Sequence, residues 1–390
     1  MNTELAHALP SKESPTLLDN RSANERDILS LIRQHTALPK AEIAKLTRLS
    51  AQSATVIINK LEADGLVKRL TPIRGGAGQP KVPFGLNENG ALSVGLKVGR
   101  RGFDMTLIDL AGTVRNAVHE KCAYPTVTNL LAFTQHAFTH LVEGLSNAQQ
   151  QRIRGLGVAM PFEIWGWAEE AGAPLEELEK WKAFNPKHTF GHLLNLPVFM
   201  INDGGAACSG EMCFGNTNGY NSFLYLFVGT FLGGGLVINN QLINGKSGNA
   251  GAVGSLPFFN GSVQTQLIEQ SSLYLLERKL NEAGLDGKQI YASPSHWLFD
   301  EQLVLDWVND TAKGLAFAVH CASCLLDLEG VIIDGAIPQK TKRLLVDKTL
   351  NALTHLDGRG MAPVSVSEGH VGEKAQSIGS ANLPLQANYY

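Results

Sequence analysis

The sequence predicts a mixed α/β protein: a winged helix-turn-helix at the N-terminus, then a duplicated, two-lobed unit. Three observations carry this. Residues 23–86 read as helix, helix, helix, hairpin, with basic residues in local excess. The spacing from Val98-Gly99 to Ile108 recurs as Val228-Gly229 to Ile238, the echo that duplicated lobes would leave. Between them, Asn202-Asp203-Gly204-Gly205 joins a strand end to a glycine-fronted helix, where α/β folds place ligand-binding groups.

At 390 residues the chain exceeds one compact core. No apolar run is long enough to span a membrane, and the start of the chain lacks an apolar signal core, so a cytoplasmic protein is expected. Five scattered cysteines make no disulfide framework. The net charge of −3 hides an asymmetry, because residues 40–81 hold 8 Lys and Arg against 3 Asp and Glu. A basic patch on an acidic chain is the footprint of a nucleic-acid-binding module.

Residues 1–22 read as a flexible arm and 23–90 as the winged helix-turn-helix. Ile28, Leu29 and Ile32 mark the buried face of the first helix, with Asn24 as its cap. Pro39 opens a short second helix, and Ser50 caps a third with Ala54, Ile57, Ile58 and Leu61 inward. Gln52, Ser53, Thr55 and Lys60 then lie on its outer face or flanks, where small polar residues suit entry into a major groove. Residues 66–70 and 82–86 form the wing, and Lys68, Arg69, Arg74 and Lys81 beside it are the expected phosphate contacts. The competing reading is a three-helix protein-interaction module with a solvated hairpin.

Residues 91–200 read as the first lobe. Strands fall at 92–98, 103–110 and 113–121, a helix at 127–145 and a strand at 154–160. Trp165, Trp167 and Trp181 gather near the expected cleft, as a platform for a sugar face or as packing. His188 and His192 have a zinc-like spacing, but nothing nearby completes a ligand set. Residues 201–390 read as the second lobe. A buried strand at 223–228 is followed by the Gly233-Gly234-Gly235 run, and the loop from Gly245 to Gly251 would let a ligand approach its backbone. A long helix at 302–327 carries Cys321 and Cys324, whose spacing suits small-residue packing. The last helix, near 372–381, is expected to return to the first lobe.

The loop Gly248-Asn249-Ala250-Gly251-Ala252-Val253-Gly254-Ser255 resembles the G-N-A-G-E-x-G-H text of the ROK (repressor, open reading frame, kinase) family of sugar kinases and sugar-responsive repressors. The wing sequence is similar to that of ROK repressors. The resemblance implies an actin-like (ribonuclease H-like) ATPase/sugar-kinase fold. It also implies sugar contacts at Asn202, Asp203 and Glu269, with Asp203 the general base if the chain is a kinase. The departures matter as much. Lys97 stands where the kinases carry a metal-side Asp, and Asp334-Gly335 stands for the Gly-Gly under adenosine, where a carboxylate would repel a nucleotide. The cysteine-rich zinc loop is missing, so no metal and no cofactor are expected. The expectation is a sugar-responsive DNA-binding transcriptional regulator, a repressor of carbohydrate-metabolism genes, with a degenerate kinase site. Its partners would be operator DNA, a sugar or sugar derivative, and its own copies in a homodimer or homotetramer. The alternative is an ATP-dependent sugar kinase with a fused DNA-binding domain.

Overall fold

The structure, a computed structural model, describes residues 19, 21–73, 81–167 and 174–390. The first unit comprises α1 (Ala23–His35), β1 (Ala37–Pro39), α2 (Lys40–Thr47), α3 (Ala51–Ala63), β2 (Val67–Arg69) and β3 (Pro83–Leu86). The cap of α1 is Ser22 rather than Asn24. Its hydroxyl accepts from the Glu25 amide while the Glu25 carboxylate accepts from the Ser22 amide, a reciprocal box that Asn24 cannot make. The sheet order is β1-β3-β2, all antiparallel. β1 has three residues, too short to leave a periodic signature.

The first lobe contains β4 (Leu92–Gly99), β5 (Gly102–Asp109), β6 (Val114–Lys121), α4 (Val127–Val142), α5 (Asn147–Gln150) and β7 (Ile153–Met160). It continues through α6 (Leu175–Ala183), α7 (Pro186–Leu194) and β8 (Val198–Asn202), in the sheet order β6-β5-β4-β7-β8. Next come α8 (Asp203–Phe214), β9 (Phe223–Val228), β10 (Leu232–Ile238), β11 (Gln241–Ile243) and a hairpin of β12 (Pro257–Asn260) and β13 (Val263–Gln266). The chain ends through α9 (Leu273–Glu282), α10 (Gln289–Ala292), α11 (Glu301–Leu326), β14 (Gly330–Gly335), α12 (Gln339–Leu353), β15 (Ser365–Glu368) and α13 (Ala375–Tyr389). The second large sheet runs β11-β10-β9-β14-β15. Each sheet is an antiparallel meander extended by two parallel strands, so the sequence echo at Val98 and Val228 marks the same hairpin in both halves.

Helix α13 ties the parts together. A Cβ on its Gly379 would lie 1.8 Å from the Ala206 carbonyl, so α8 and α13 meet backbone to backbone. Ser93 of β4 donates to the Ala381 carbonyl at 2.6 Å. At its far end α13 meets the first unit, where Ala381, Leu385 and Tyr389 share one buried core with Ile28, Leu29, Ile58, Ile108 and Leu110. The Arg26 guanidinium donates to the main-chain oxygens of Gln386, Ala387 and Tyr390. Arg33 donates to Asn382 and lies over the Phe214 and Tyr390 rings. The carbonyls at the end of α13, left without helical partners, are thus taken by a cation from α1.

Candidate ligand cleft and DNA-binding face

A cleft of about 1440 Å³ opens between the two large sheets. Its wall at the end of β8 carries Asn202 and Asp203. Asn202 caps α8, its Oδ1 accepting from the Gly204 amide at 2.8 Å, and Asp203 Oδ1 accepts from the same amide at 2.9 Å. A helix cap and a cleft-facing group are therefore the same residues here. The helix start can sit this low because a Cβ on Gly204 would strike the Gly234 carbonyl at 2.5 Å. That explains part of the glycine run: a Cβ on Gly235 would strike Cys208 of α8 and one on Gly234 would strike Gly251 and Val253, while Asn249, Gly251 and Ser255 of the following loop line the cleft.

Glu269 does not join Asn202 and Asp203 among the lining residues. It is exposed at the end of a short 3-10 turn, and Gln266 and Ile268 face the cleft on that wall instead. Glu269 follows directly on the β12–β13 hairpin, in the 3-10 turn Leu267–Glu269 whose Leu267 and Ile268 are buried.

Further along the sheet that carries Asn202, Lys97, Asp104 and His119 lie side by side, directly opposed on β4, β5 and β6. Lys97 Nζ is 2.9 Å from Asp104 Oδ2, and His119 Nδ1 is 2.6 Å from Oδ1. Burial pushes the Asp104 carboxyl up, but Lys97 and His119 outweigh it and hold the pKa at about 2. At the β4–β5 turn, Arg101 reaches across to both oxygens of Glu277 on α9 at 3.0 and 3.2 Å, and Tyr291 donates to the same carboxylate. Arg100 lies over the Phe231 ring at 4.3 Å. Two cations of the first lobe thus engage the second. The sequence reading missed both, although Arg100-Arg101 in a two-residue turn was the available signal.

One expectation needs correction, and the alternatives left open for the tryptophans fall to packing. Asp334 does not face a nucleotide position. It is fully buried, paired with Lys342 at 2.5 Å, and accepts from the Tyr225 hydroxyl and the Gly372 amide. Trp181 is core, donating to the Pro125 carbonyl, and Trp165 packs against the same core, so neither is a sugar platform. His188 and His192 stack on an exposed helix face. Among the described residues no group of three or more His, Cys, Asp or Glu side chains could hold a metal ion.

On the first unit, Gln52 and Ser53 are exposed at the start of α3, and Ser50 caps that helix through the Ser53 amide. Thr55 is half-buried and donates back to the Ala51 carbonyl. Lys60 sits at the other end, 2.7 Å from Glu25 of α1. Lys68 pairs with Glu88 and Arg69 with Glu62. Lys81 is exposed opposite Ile73, and Arg74 lies outside the described residues. Lys45 and Arg48, counted in the basic excess of residues 40–81 but not named as contacts, are exposed before α3.

Known proteins divide the chain the same way. Residues 93–263 match the ROK family and residues 20–76 the MarR family. The protein y4fQ of Sinorhizobium fredii is 25% identical over 95% of this chain and 92% of its own. The xylose repressor of Bacillus subtilis is 24% identical over 62% of each chain. The DNA-binding transcriptional dual regulator NagC of Escherichia coli is 21% identical over 89% of each. Among solved structures, a ROK family transcriptional regulator described as a homologue of the E. coli MLC protein superposes with a TM-score of 0.68 at 19% identity, covering 94% of this chain and 96% of that one. A ROK family glucokinase from Streptomyces griseus gives a TM-score of 0.59 at 20% identity, over 75% of this chain and 99% of its own. No described helix is long and apolar enough to cross a membrane. The chain thus carries a ROK family domain of actin-like fold, with a MarR-type winged helix in front of it.

Proposed function

We propose that this protein is a sugar-responsive DNA-binding transcriptional regulator, a repressor of carbohydrate-metabolism genes, and not a sugar kinase. The observation that carries this is the reach of α13. Gln376 and Ser377 at one end line the cleft, while Gln386, Ala387 and Tyr390 at the other hold Arg26 of the DNA-binding unit. A ligand that shifts the start of α13 therefore acts on the unit that reads DNA, and coupling of this kind is typically about 1–3 kcal/mol and reciprocal. Relatives named as repressors support the same reading.

In this reading residues 23–90 bind operator DNA, with Gln52 and Ser53 at the base edges. Asn202 and Asp203, between the lobes of 91–200 and 201–390, take sugar hydroxyls. A carboxylate accepts only, and so discriminates among hydroxyl positions. Palindromic operators call for a homodimer or homotetramer working in the cytoplasm. Lys97 argues against phosphoryl transfer, because an ammonium cannot ligate the Mg²⁺ that positions a triphosphate. The test selects duplexes from random-sequence DNA with the full chain, then measures their affinity with and without a panel of sugars. A sequence-specific site whose affinity changes with one sugar is the expected result. Turnover of Mg-ATP at about 1 s⁻¹ with any sugar would overturn it.

A further inference from the structure

The cleft is positive on an acidic chain. Six Lys and Arg line it against four Asp and Glu, whereas the whole chain holds 33 against 36. Much of that charge lies on one wall. Asp104 stands between Lys97 and His119, so a single carboxylate serves two basic groups. An ammonium has three donors and Asp104 takes one of Lys97's. The Lys97 side chain also lies against Gly99, where a Cβ would be 3.4 Å from Cε, so bare backbone leaves the hairpin base open beside it.

The sheet register places this row relative to Asn202. Lys97 is opposite Ala159 of β7, and Ala159 is opposite Ile201 of β8, the residue before Asn202. Two strand spacings separate the backbones, about 10 Å. The Lys97 ammonium is drawn outward to Asp104 on β5, so it lies no nearer to Asn202 than its backbone does, a span long enough for one sugar ring with one attached oxyanion. The starts of α8 and α13 open on the same cleft through Asp203 and Ser377, and helix N-termini favour negative charge.

We infer that the cleft ligand is an anionic sugar, a phosphate ester or a sugar acid, whose oxyanion is held by Lys97 beside His119 while Asn202 and Asp203 take its hydroxyls. This rests on the reading that the cleft binds a sugar. Charge-assisted hydrogen bonds are about twice as strong as neutral ones, so the anion sets the affinity. Asp104 positions the two basic groups and does not itself touch the ligand.

The experiment is calorimetric titration of the full chain with pentoses and hexoses, each as free sugar, phosphate ester and uronic or aldonic acid. Inorganic phosphate is run alongside. One anionic form should bind about tenfold or more tighter than its neutral parent, and the phosphate and acid arms tell the two sources apart. Lys97→Met should bring the anionic form down to the affinity of the neutral one. Lys97→Arg, which keeps the charge and the pairing to Asp104, should retain the preference and guards against a folding defect. Neutral sugars binding as tightly as both anionic forms, or a preference that survives Lys97→Met, would overturn the inference and leave sugar binding standing. Inorganic phosphate binding as tightly as the best sugar ester would also overturn it, because Asn202 and Asp203 would then contribute nothing. Binding of no sugar in any form would remove the underlying reading as well.

Discussion

Each large sheet carries an aspartate paired with a lysine, from β4 in the first and from helix α12 in the second, and the two pairs differ mainly in where water reaches them. Lys342 and Asp334 are 4% and 0% exposed, and Tyr225 and the Gly372 amide complete the carboxylate's bonding. Lys97 and Asp104 are each 23% exposed and sit on the cleft wall. The first pair is closed: its polar groups are spent on one another, on Tyr225 of β9 and on the backbone between β15 and α13. The second is open, because Lys97 keeps donors that face space a ligand can fill. The same residue types thus hold the fold in one half and offer charge in the other. Residue identity alone does not distinguish the two roles.

The comparison breaks most visibly if the closed pair is opened. Lys342→Met leaves the fully buried Asp334 without its cation and should cost about 3–5 kcal/mol of unfolding free energy, read as a lowered urea midpoint. A cost under about 1 kcal/mol would mean that Asp334 reaches water. The open pair should respond to pH instead. The Asp104 pKa of about 2 lies below its ordinary 3.8, so the stabilisation is present above about pH 4 and lost as pH falls toward 2. That contribution is about 2 kcal/mol. Unfolding midpoints followed from pH 5 down to pH 2 should show it, and Lys97→Met should move the loss to higher pH, since burial then acts without the lysine. At the other end of the cleft floor, Asp203→Asn preserves shape but turns one acceptor into a donor. It should weaken ligand binding by about 1.5–3 kcal/mol in calorimetry while unliganded DNA affinity stays unchanged. An equal response to ligand in both proteins would take Asp203 out of the site.

What the sequence disclosed follows from what is periodic. The repeated hairpins, the helix order of the first unit and the long helix all rest on patterns of 2 or 3.6 residues, and the structure carries them at 98 and 228, at 23–63 and at 301–326. What it concealed depends on direction and on distant partners. Asp334 ends a strand much as a ligand group would, but its side chain points at Lys342, eight residues on in the first turn of α12. For Trp181 the sequence left cleft and core both open, and only the turn of α6 places it inward. Glu269 has the expected sequence position, but its side chain is exposed outside the cleft lining. The grip of Arg26 on the last residues spans nearly the whole chain, and no local signal predicts so remote a contact.

A third pair extends the comparison to the surface. Lys68 and Glu88 are each 41% exposed, beside the wing. Their Coulomb gain is screened and offset by the ordering of two long side chains, so Lys68→Ala should change stability by no more than about 0.5 kcal/mol. The same openness makes Lys68 available to a phosphate, because Glu88 is a weak competitor in water and the polyanion offers counterion release. Lys68→Ala should therefore weaken binding to every DNA sequence alike and lower the salt dependence by about one released ion. Gln52→Ala, at the exposed start of α3, should instead alter which sequences are preferred. Affinities for two unrelated duplexes, measured across a range of salt concentrations, separate these outcomes. If Lys68→Ala leaves both the affinity and the salt slope unchanged, Lys68 stays with Glu88 on DNA, and the wing's contact with the backbone must come from other cations such as Lys81.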